Sequence, residues 1–365
     1  MTSFHKAYLV KKRLSGSLLR KRGIHGIGVG LKDPAHPKKG AAVIVYANSL
    51  AATGMKKKDK KNQHNITRIL NPKSTSGVPI RIVRSAKFHK NSIPHSQRFQ
   101  RRIRPLIGGY SIGTESESGT AGLIVSRAHF PRSRYILSNN HVLVNENSCR
   151  ISPTVQPGGA DGGTIKRDLI GHMDRFVKLQ KRKVNYIDAA TSKPLRRNLL
   201  KPSYAVFGTV PGHIRSYRVG DRFKKVGRTS GVVTGVVDSI HTDIQVGYGD
   251  YGNLGTITFK NQSVIRGKRP VSLPGDSGSV WLTRSGNQAA AVNFAGSSDG
   301  YMSISYPVEW FMQVFGDKVA RSRKCGVSRV QKGSKQKYLY TRPLSSKVLS
   351  TIRVVRPSRR GSRCR

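Results

Sequence analysis

The chain has 365 residues, of which 36% are hydrophobic, and a formal net charge of +50. That length can hold two compact domains with extensions. Three cysteines are too few for a disulfide-dense scaffold. No segment approaches the ~20 consecutive apolar residues that a membrane-spanning helix needs, and no apolar stretch with a cleavage site marks a signal peptide. We therefore expect a cytoplasmic protein, with nuclear, nucleoid or virion association left open.

Most of the excess positive charge lies in the two flanks of the chain. Residues 1–110 carry 25 Lys and Arg against two acids, and residues 319–365 carry 15 against none. Residues 111–318 carry 27 against 15. Basic flanks are typical of solvated tails or of arms that contact a polyanion such as nucleic acid.

Residues 1–106 are predicted to form a small, basic α+β module that ends in a linker. A basic amphipathic helix is expected at the start, packed on strands at 24–29 and 42–46. A further strand is expected at 78–83. Residues 85–106 are rich in Arg, His, Ser and Pro, and we interpret them as a linker and a candidate site of autocleavage.

Residues 107–318 show short β-rich runs between Gly, Pro, Asn and Asp turns. The pattern predicts a mainly β fold with a pair of antiparallel, six-stranded-type β-barrels, closed by a helix at 308–315. Residues 319–365 are expected to form a basic, disordered tail. Strands are predicted at 122–125, 135–137, 206–210, 232–240, 254–259 and 289–294.

Three segments carry residue types suited to nucleophilic catalysis. Ser277 lies in a Pro-Gly-Asp-Ser-Gly-Ser run, His141 follows a strand-like apolar segment, and Asp188 lies within another. Taken one at a time, each has an ordinary structural interpretation: the serine segment is typical of a surface turn, the histidine of a surface residue, and the aspartate of a local cap. Together they have the chain order His, Asp, Ser and intervals of 47 and 89 residues, which fit a triad of base, orienting acid and nucleophile.

The chemistry of the predicted nucleophile explains why glycines lie beside it. The backbone N–H groups of Gly275 and Ser277 are expected to form an oxyanion hole, and a side chain at 275 would resist the required turn. Asp276 is expected to brace this loop, although the sequence does not name its partner.

These residues resemble the trypsin-like (chymotrypsin-fold) serine peptidases, and more narrowly the bacterial, phage and plant branch with the narrow-leaf-type peptidases. The resemblance spans roughly residues 20–315, with similar segments in family order. They include 24–30, 77–83, 104–113, 156–163, 227–231 and 294–297. The lysine and arginine content departs from that branch, and the chain after residue 319 matches nothing in it.

The resemblance implies a primary substrate pocket. The residue six positions before the serine would lie at its base, and here that residue is Val271 rather than an acid. Phe294, Ala295 and Gly296 would form its wall. The trypsin preference for Arg or Lys is therefore not expected, and apolar or small side chains are favoured.

The leading hypothesis is a serine endopeptidase that acts on protein or peptide through an acyl-enzyme, without cofactor or metal. A separate hypothesis is self-processing, in which the N-terminal module covers the cleft until the linker at 85–106 is cut. The alternative is a basic nucleic-acid-binding or structural protein built on a protease-like scaffold. Homo-oligomerisation is left open. The odd cysteine count favours a reducing compartment or a protein that needs no bridges, and Cys149 is expected to be a free thiol.

Overall fold

The computed structural model describes residues 1–48, 75–85, 88–89, 97–321, 326–329 and 339–358. Its helices are α1 (Phe4–Leu18), α2 (Asn140–Leu143), α3 (Ile165–Asp168), α4 (Val308–Phe315) and α5 (Ser346–Leu349). Its strands are β1 (Ile24–Leu31), β2 (Ala41–Ala47), β3 (Ile80–Arg84), β4 (Phe88–His89), β5 (Leu106–Gly108), β6 (Ser111–Gly113), β7 (Ser118–Thr120), β8 (Leu123–Arg127), β9 (Phe130–Ser138), β10 (Pro153–Val155), β11 (Leu169–Val177), β12 (Ala190–Pro194), β13 (Leu200–Tyr204), β14 (Gly212–Ile214), β15 (Arg222–Gly227), β16 (Gly231–Gly247), β17 (Thr256–Arg266), β18 (Val280–Thr283), β19 (Ala289–Gly296), β20 (Met302–Pro307), β21 (Asp317–Val319), β22 (Val327–Arg329) and β23 (Val354–Val355).

Two large sheets dominate the structure. One has the order β15-β18-β19-β20-β17-β16-β1-β2-β3, and pairing of β15 with β16 joins six of these strands into an antiparallel ring. The other has the order β21-β8-β9-β12-β11-β10-β6-β7. Its two end strands, β21 and β7, do not pair with each other among the described residues. The mainly β class predicted from the sequence is confirmed, while its division into two barrels remains a prediction.

The N-terminal strands continue the first sheet. β1 pairs antiparallel with β16, β2 antiparallel with β1, and β3 parallel with β2. The close approach of β1 to β16 depends on glycine, because a Cβ on Gly28 would lie 2.3 Å from the Thr242 hydroxyl oxygen. The N-terminal segment is thus joined to the strands that carry the candidate nucleophile.

Helix α1 packs on β1 and β2, as its pattern predicts. Ser3 caps it by accepting a hydrogen bond from the Lys6 N–H (3.1 Å). Its buried face carries Phe4, Ala7, Val10, Leu14 and Leu18. Lys11 is also buried, with its Nζ 2.8 Å from Asp243 Oδ1. One cation of this basic helix therefore serves a buried ion pair instead of facing an external anion.

Most other predicted elements appear, with one exception. The predicted helix 308–315 is α4. Residues 206–210 do not form a strand, because Tyr204 and Gly208 exchange backbone hydrogen bonds (2.7 and 2.8 Å) around a turn. Val206 there has φ of 68°. The apolar run that suggested a strand instead continues β13 into a tight reversal.

The described part of the basic tail has regular structure, which corrects the expectation of disorder for residues 319–321, 326–329 and 339–358. Val354 and Val355 form β23, which pairs antiparallel with Val177 and Phe176 of β11. The side chain of Val355 is fully buried. Two adjacent valines suffice because the free edge of β11 supplies backbone partners. Further up the tail, Val319 pairs with Val125 of β8, and β22 pairs parallel with β14. Residues 322–325, 330–338 and 359–365 lie outside the described residues.

The cysteine prediction also needs correction. Cys149 is disulfide-bonded and is not a free thiol. The C-terminal segment passes beside it, since the Ser358 N–H donates to the Cys149 carbonyl (3.0 Å). Cys325 and Cys364 lie outside the described residues. Within the described ranges, no helix is both long and apolar enough to cross a membrane.

Candidate active site

The predicted base lies at the start of a short helix directly after a strand. β9 ends at Ser138, Asn139 is extended (φ −82°, ψ 160°), and His141 falls in the first turn of α2. The His141 Nδ1 atom lies 2.6 Å from Asp188 Oδ2. Both side chains are buried. The structure therefore brings together the predicted base and the predicted orienting acid.

The Asp188 carboxylate is held by two further donors. Its Oδ1 accepts from the Asn140 N–H (2.6 Å), and its Oδ2 accepts from the Tyr248 hydroxyl (2.6 Å). The Asn139 side-chain amide donates to the Asp188 carbonyl (2.6 Å). Burial raises the pKa of Tyr248 well above its ordinary value, and the nearby Asp188 charge adds to this effect. The hydroxyl consequently keeps its proton and remains a donor.

This arrangement leaves the second ring nitrogen of His141 free. With Nδ1 directed at Asp188, the neutral imidazole carries its lone pair on Nε2. Nε2 is buried and has no hydrogen-bond partner among the described residues. The rings of Tyr248 and Tyr251 lie edge-on to the imidazole, with centroids at 5.7 and 6.4 Å. The tyrosines fix the ring plane without using its basic nitrogen.

Ser277 is buried in the loop between β17 and β18. Its hydroxyl donates to the Phe294 carbonyl at 3.4 Å and makes no hydrogen bond to His141 in this structure. Ser277 and the residue after His141 both contact Gly119 of β7. A Cβ on Gly119 would lie 2.8 Å from the Ser277 carbonyl oxygen and 2.4 Å from Val142 Cγ2, next to His141.

The loop presents two backbone donors next to the serine hydroxyl. Gly275 and Gly278 have φ of 88° and 92°, which glycine alone adopts readily. The Asp276 N–H is turned to the Leu273 carbonyl (2.9 Å). The N–H groups of Gly275 and Ser277 find no acceptor among the described residues. Free N–H groups on the serine itself and two residues before it are what an oxyanion hole requires.

Asp276 braces this loop, and the structure supplies the partners that the sequence did not. Its Oδ1 accepts from the N–H groups of Thr229 and Ser230 (both 3.0 Å), and its Oδ2 accepts from the Leu273 N–H (2.9 Å). Lys225 Nζ lies 3.5 Å from Oδ2, and both side chains are fully buried. Burial lowers the pKa of Lys225, and the Asp276 charge opposes this effect.

A second buried ion pair supports the other side of the loop. The Arg228 Nε donates to Asp161 Oδ2 (2.6 Å), and the guanidinium is 1% exposed. A Cβ on Gly275 would lie 2.1 Å from Arg228 Nη1, so only glycine fits there. Thr120 joins the parts, because its hydroxyl donates to the Gly275 carbonyl (2.8 Å) and accepts from the Arg228 N–H (3.0 Å).

The residues predicted to form the substrate pocket do not all meet. Val271 is fully buried in the apolar cluster of Trp281, whereas Phe294 and Ala295 belong to the other cluster. The residue that touches the predicted wall is Ser272. Its hydroxyl donates to the Ala295 carbonyl (3.1 Å), and a Cβ on Gly296 would lie 2.7 Å from its carbonyl oxygen. The pocket assignment stays a prediction.

Sequence reasoning missed Tyr248, Lys225 and Arg228. Arg228 lies in a segment that carried the resemblance, but no role followed from it. Nothing in the spacing of Tyr248 points to Asp188, which is 60 positions away. In the part of the chain that the structure describes, no three His, Cys, Asp or Glu side chains are grouped as metal ligands.

Comparison with known proteins yields solved structures only. No protein-family model matches the chain, and no curated protein matches it. A glutamic-acid-specific serine protease is 20% identical and is covered over 100% of its length, with 59% of this chain aligned and a TM-score of 0.41. Protease A of Thermobifida fusca is 18% identical (59% of this chain, 98% of that chain, TM-score 0.42). A Nocardiopsis protease is 18% identical (59% and 99%, TM-score 0.42). Likeness of this degree assigns neither fold nor activity.

Proposed function

We propose that the chain is a serine endopeptidase in which Ser277 is the nucleophile, His141 the base and Asp188 the acid that orients it. The observation that carries this proposal is the site itself. An Asp188-bound imidazole with a free Nε2 lies near a loop that offers two unpaired N–H groups around a serine. A scaffold without catalysis has no use for this combination.

The chemistry follows from these atoms. His141 Nε2 accepts the Ser277 hydroxyl proton as Oγ attacks the peptide carbonyl carbon, which requires the hydroxyl to turn away from the Phe294 carbonyl. The N–H groups of Gly275 and Ser277 stabilise the resulting oxyanion. The C–N bond breaks as His141 returns the proton to the leaving amine. Water, deprotonated by the same nitrogen, then hydrolyses the acyl-enzyme.

Covalent labelling with a fluorophosphonate probe tests the proposal. The full chain should be labelled at Ser277, as located by mass spectrometry, and Ser277→Ala should not be labelled. Ser126→Ala is the matched control, because Ser126 is a buried serine of β8 in the other sheet. Equal labelling of both variants would refute an activated serine at 277. So would the absence of labelling in the folded full chain together with its absence in a folded Phe88→Ala variant, in which β4 loses its buried side chain.

Self-processing within residues 85–106 belongs to the same proposal. Residues 86–87 and 90–96 of this range lie outside the described residues. Parts of the described remainder are packed, since Phe99 is buried and the Arg104 guanidinium donates to the Gln156 carbonyl (3.1 Å), whereas Arg101 and Arg102 are exposed. Cleavage of the wild type, and not of Ser277→Ala, during storage would support it.

A second candidate function, binding of a single-stranded nucleic acid, is favoured by a surface of the β8–β9 hairpin. A cavity of about 620 Å³ there is lined by Arg127, His129, Phe130, Pro131, Arg132, Ser133, Tyr135 and Arg197. No carboxylate is in that lining, and Phe130 is 67% exposed. An exposed aromatic ring among arginines suits base stacking with phosphate contact.

The salt dependence of binding to a fluorescent single-stranded oligonucleotide tests this candidate. Arg132→Ala and Arg197→Ala should each weaken binding and reduce the slope of log K against log salt by about 0.7. Phe130→Ala should weaken binding without changing that slope. Arg284→Ala, an exposed cation in the β18–β19 turn, is the control. If Arg284→Ala weakened binding as much as Arg132→Ala, the oligonucleotide would be attracted to the protein's positive charge in general and not to this surface.

A further inference from the structure

The two-residue strand β4 lies between two strands of the candidate site. Phe88 and His89 pair parallel with Val246 and Gly247 at the end of β16. On its other side, His89 pairs antiparallel with Gly296 at the end of β19. β4 thus takes up backbone hydrogen-bonding positions on both strands. β4 comes from the N-terminal part of the chain, and its His89 precedes Ser277 by 188 residues.

β4 is anchored by burial and not only by its backbone. The Phe88 side chain is 1% exposed, and its ring lies edge-on to Tyr46 of β2 with centroids 6.0 Å apart. The chain leading into β4 is tied to the same strand, since the Ser85 N–H donates to the Ala47 carbonyl (2.8 Å). The N-terminal strands therefore deliver β4 to the edge of β19.

That edge is next to the nucleophile. The Phe294 carbonyl of β19 accepts the Ser277 hydroxyl (3.4 Å), and the Asn293 carbonyl accepts the Gly278 N–H (2.8 Å). In an antiparallel pair, the partner of Phe294 lies two residues beyond the partner of Gly296. A peptide that adds to this edge as a strand would therefore carry its next peptide bonds toward Ser277.

We propose that β4 is an intramolecular occupant of the peptide-binding edge of β19, so that the chain blocks its own site until β4 leaves. The proposal rests on the proposed function. Its partner is a segment of this chain, and the ligand that competes with it is an extended peptide. Because the segment is tethered, its effective concentration is high, and a peptide in solution binds only to the fraction of molecules in which β4 has left.

The test measures peptide binding without catalysis. The full chain with Ser277→Ala is titrated against a fluorescent, blocked peptide of the sequence of residues 84–91, and the affinity is read by anisotropy. Phe88→Ala in this background should bind the peptide at least tenfold more tightly, because the anchor of the tethered strand is lost. Phe99→Ala is the matched control, since it removes a buried phenylalanine packed edge-on to Tyr110. It should bind as the parent does.

His89→Pro is the second variant, in case Phe88→Ala does not fold cooperatively. Proline removes a backbone N–H from β4 and disfavours strand pairing while Phe88 remains. Unchanged peptide affinity in a folded Phe88→Ala or His89→Pro chain overturns the proposal. Fluorophosphonate labelling of the same variants with Ser277 restored separates the two ideas. Tighter peptide binding with no labelling supports β4 as the occupant and refutes the peptidase. Strong labelling with unchanged peptide affinity supports the peptidase and refutes β4 as the occupant.

Discussion

Replacing Lys225 with methionine tests how far the nucleophile loop depends on the buried cation beneath it. Lys225 and Asp276 are both fully buried with 3.5 Å between Nζ and Oδ2, and removal of one partner from such a pair costs about 3–5 kcal/mol. Asp276 retains three backbone N–H donors. We therefore expect the lower end, a loss of about 3 kcal/mol in the free energy of unfolding.

The same substitution should reduce reactivity at Ser277. Asp276 lies between the two residues whose N–H groups form the predicted oxyanion hole, so a shift of its carboxylate moves both donors. Loss of one such donor typically costs about 10²–10³ in rate, and a partial displacement should slow fluorophosphonate labelling by at least about tenfold. Urea unfolding at pH 7 measures the first effect, and the labelling rate of folded protein measures the second.

Lys224→Met is the matched control for this prediction. Lys224 is the next residue, and its Nζ lies 4.6 Å from the centre of the Phe207 ring on the surface side of β15. Its removal should cost less than about 1 kcal/mol and leave labelling unchanged. If Lys225→Met also lost less than about 1 kcal/mol and labelled at the parental rate, the argument that the ion pair supports the loop would be wrong.

Two further substitutions test the site and the core. Tyr248→Phe removes the hydroxyl from Asp188 while keeping the ring, and should destabilise the fold by about 1.5–3 kcal/mol and slow labelling. Tyr306→Phe, whose hydroxyl has no partner among the described residues, should do neither, and equal effects would contradict the role of Tyr248. Burial lowers the pKa of His241 to about 4, so below pH 6.5 the unfolded chain takes up a proton that the folded chain does not. Stability should fall by about 3 kcal/mol between pH 7 and 4 on this account. Asparagine tolerates the φ of 49° at this position, so His241→Asn should remove the His241 contribution to the loss of stability, as measured by urea unfolding at the two pH values. If the variant loses as much stability as the parent between these pH values, His241 is not the cause.

Local patterns explain what could be predicted from the sequence. Short β-rich runs between turn residues predict a mainly β chain, and the mixture of apolar and basic residues at the start of the chain predicts a helix packed on the strands after it. The order and spacing of His141, Asp188 and Ser277 single out three residues. The structure joins the first two, while the serine hydroxyl points to another acceptor. The local turn around Gly275 is also readable, because its positive φ requires glycine.

The sequence by itself determined the residue types that can do the chemistry and the class of elements that carry them. The tertiary structure decided their partners: Tyr248 for Asp188, Lys225 for Asp276, β23 for β11 and β4 for β19. Each of these contacts joins segments far apart in the chain, through strand register and burial. A side chain's type limits what it can bond, but only the packing of distant strands decides which buried charge or free edge it meets.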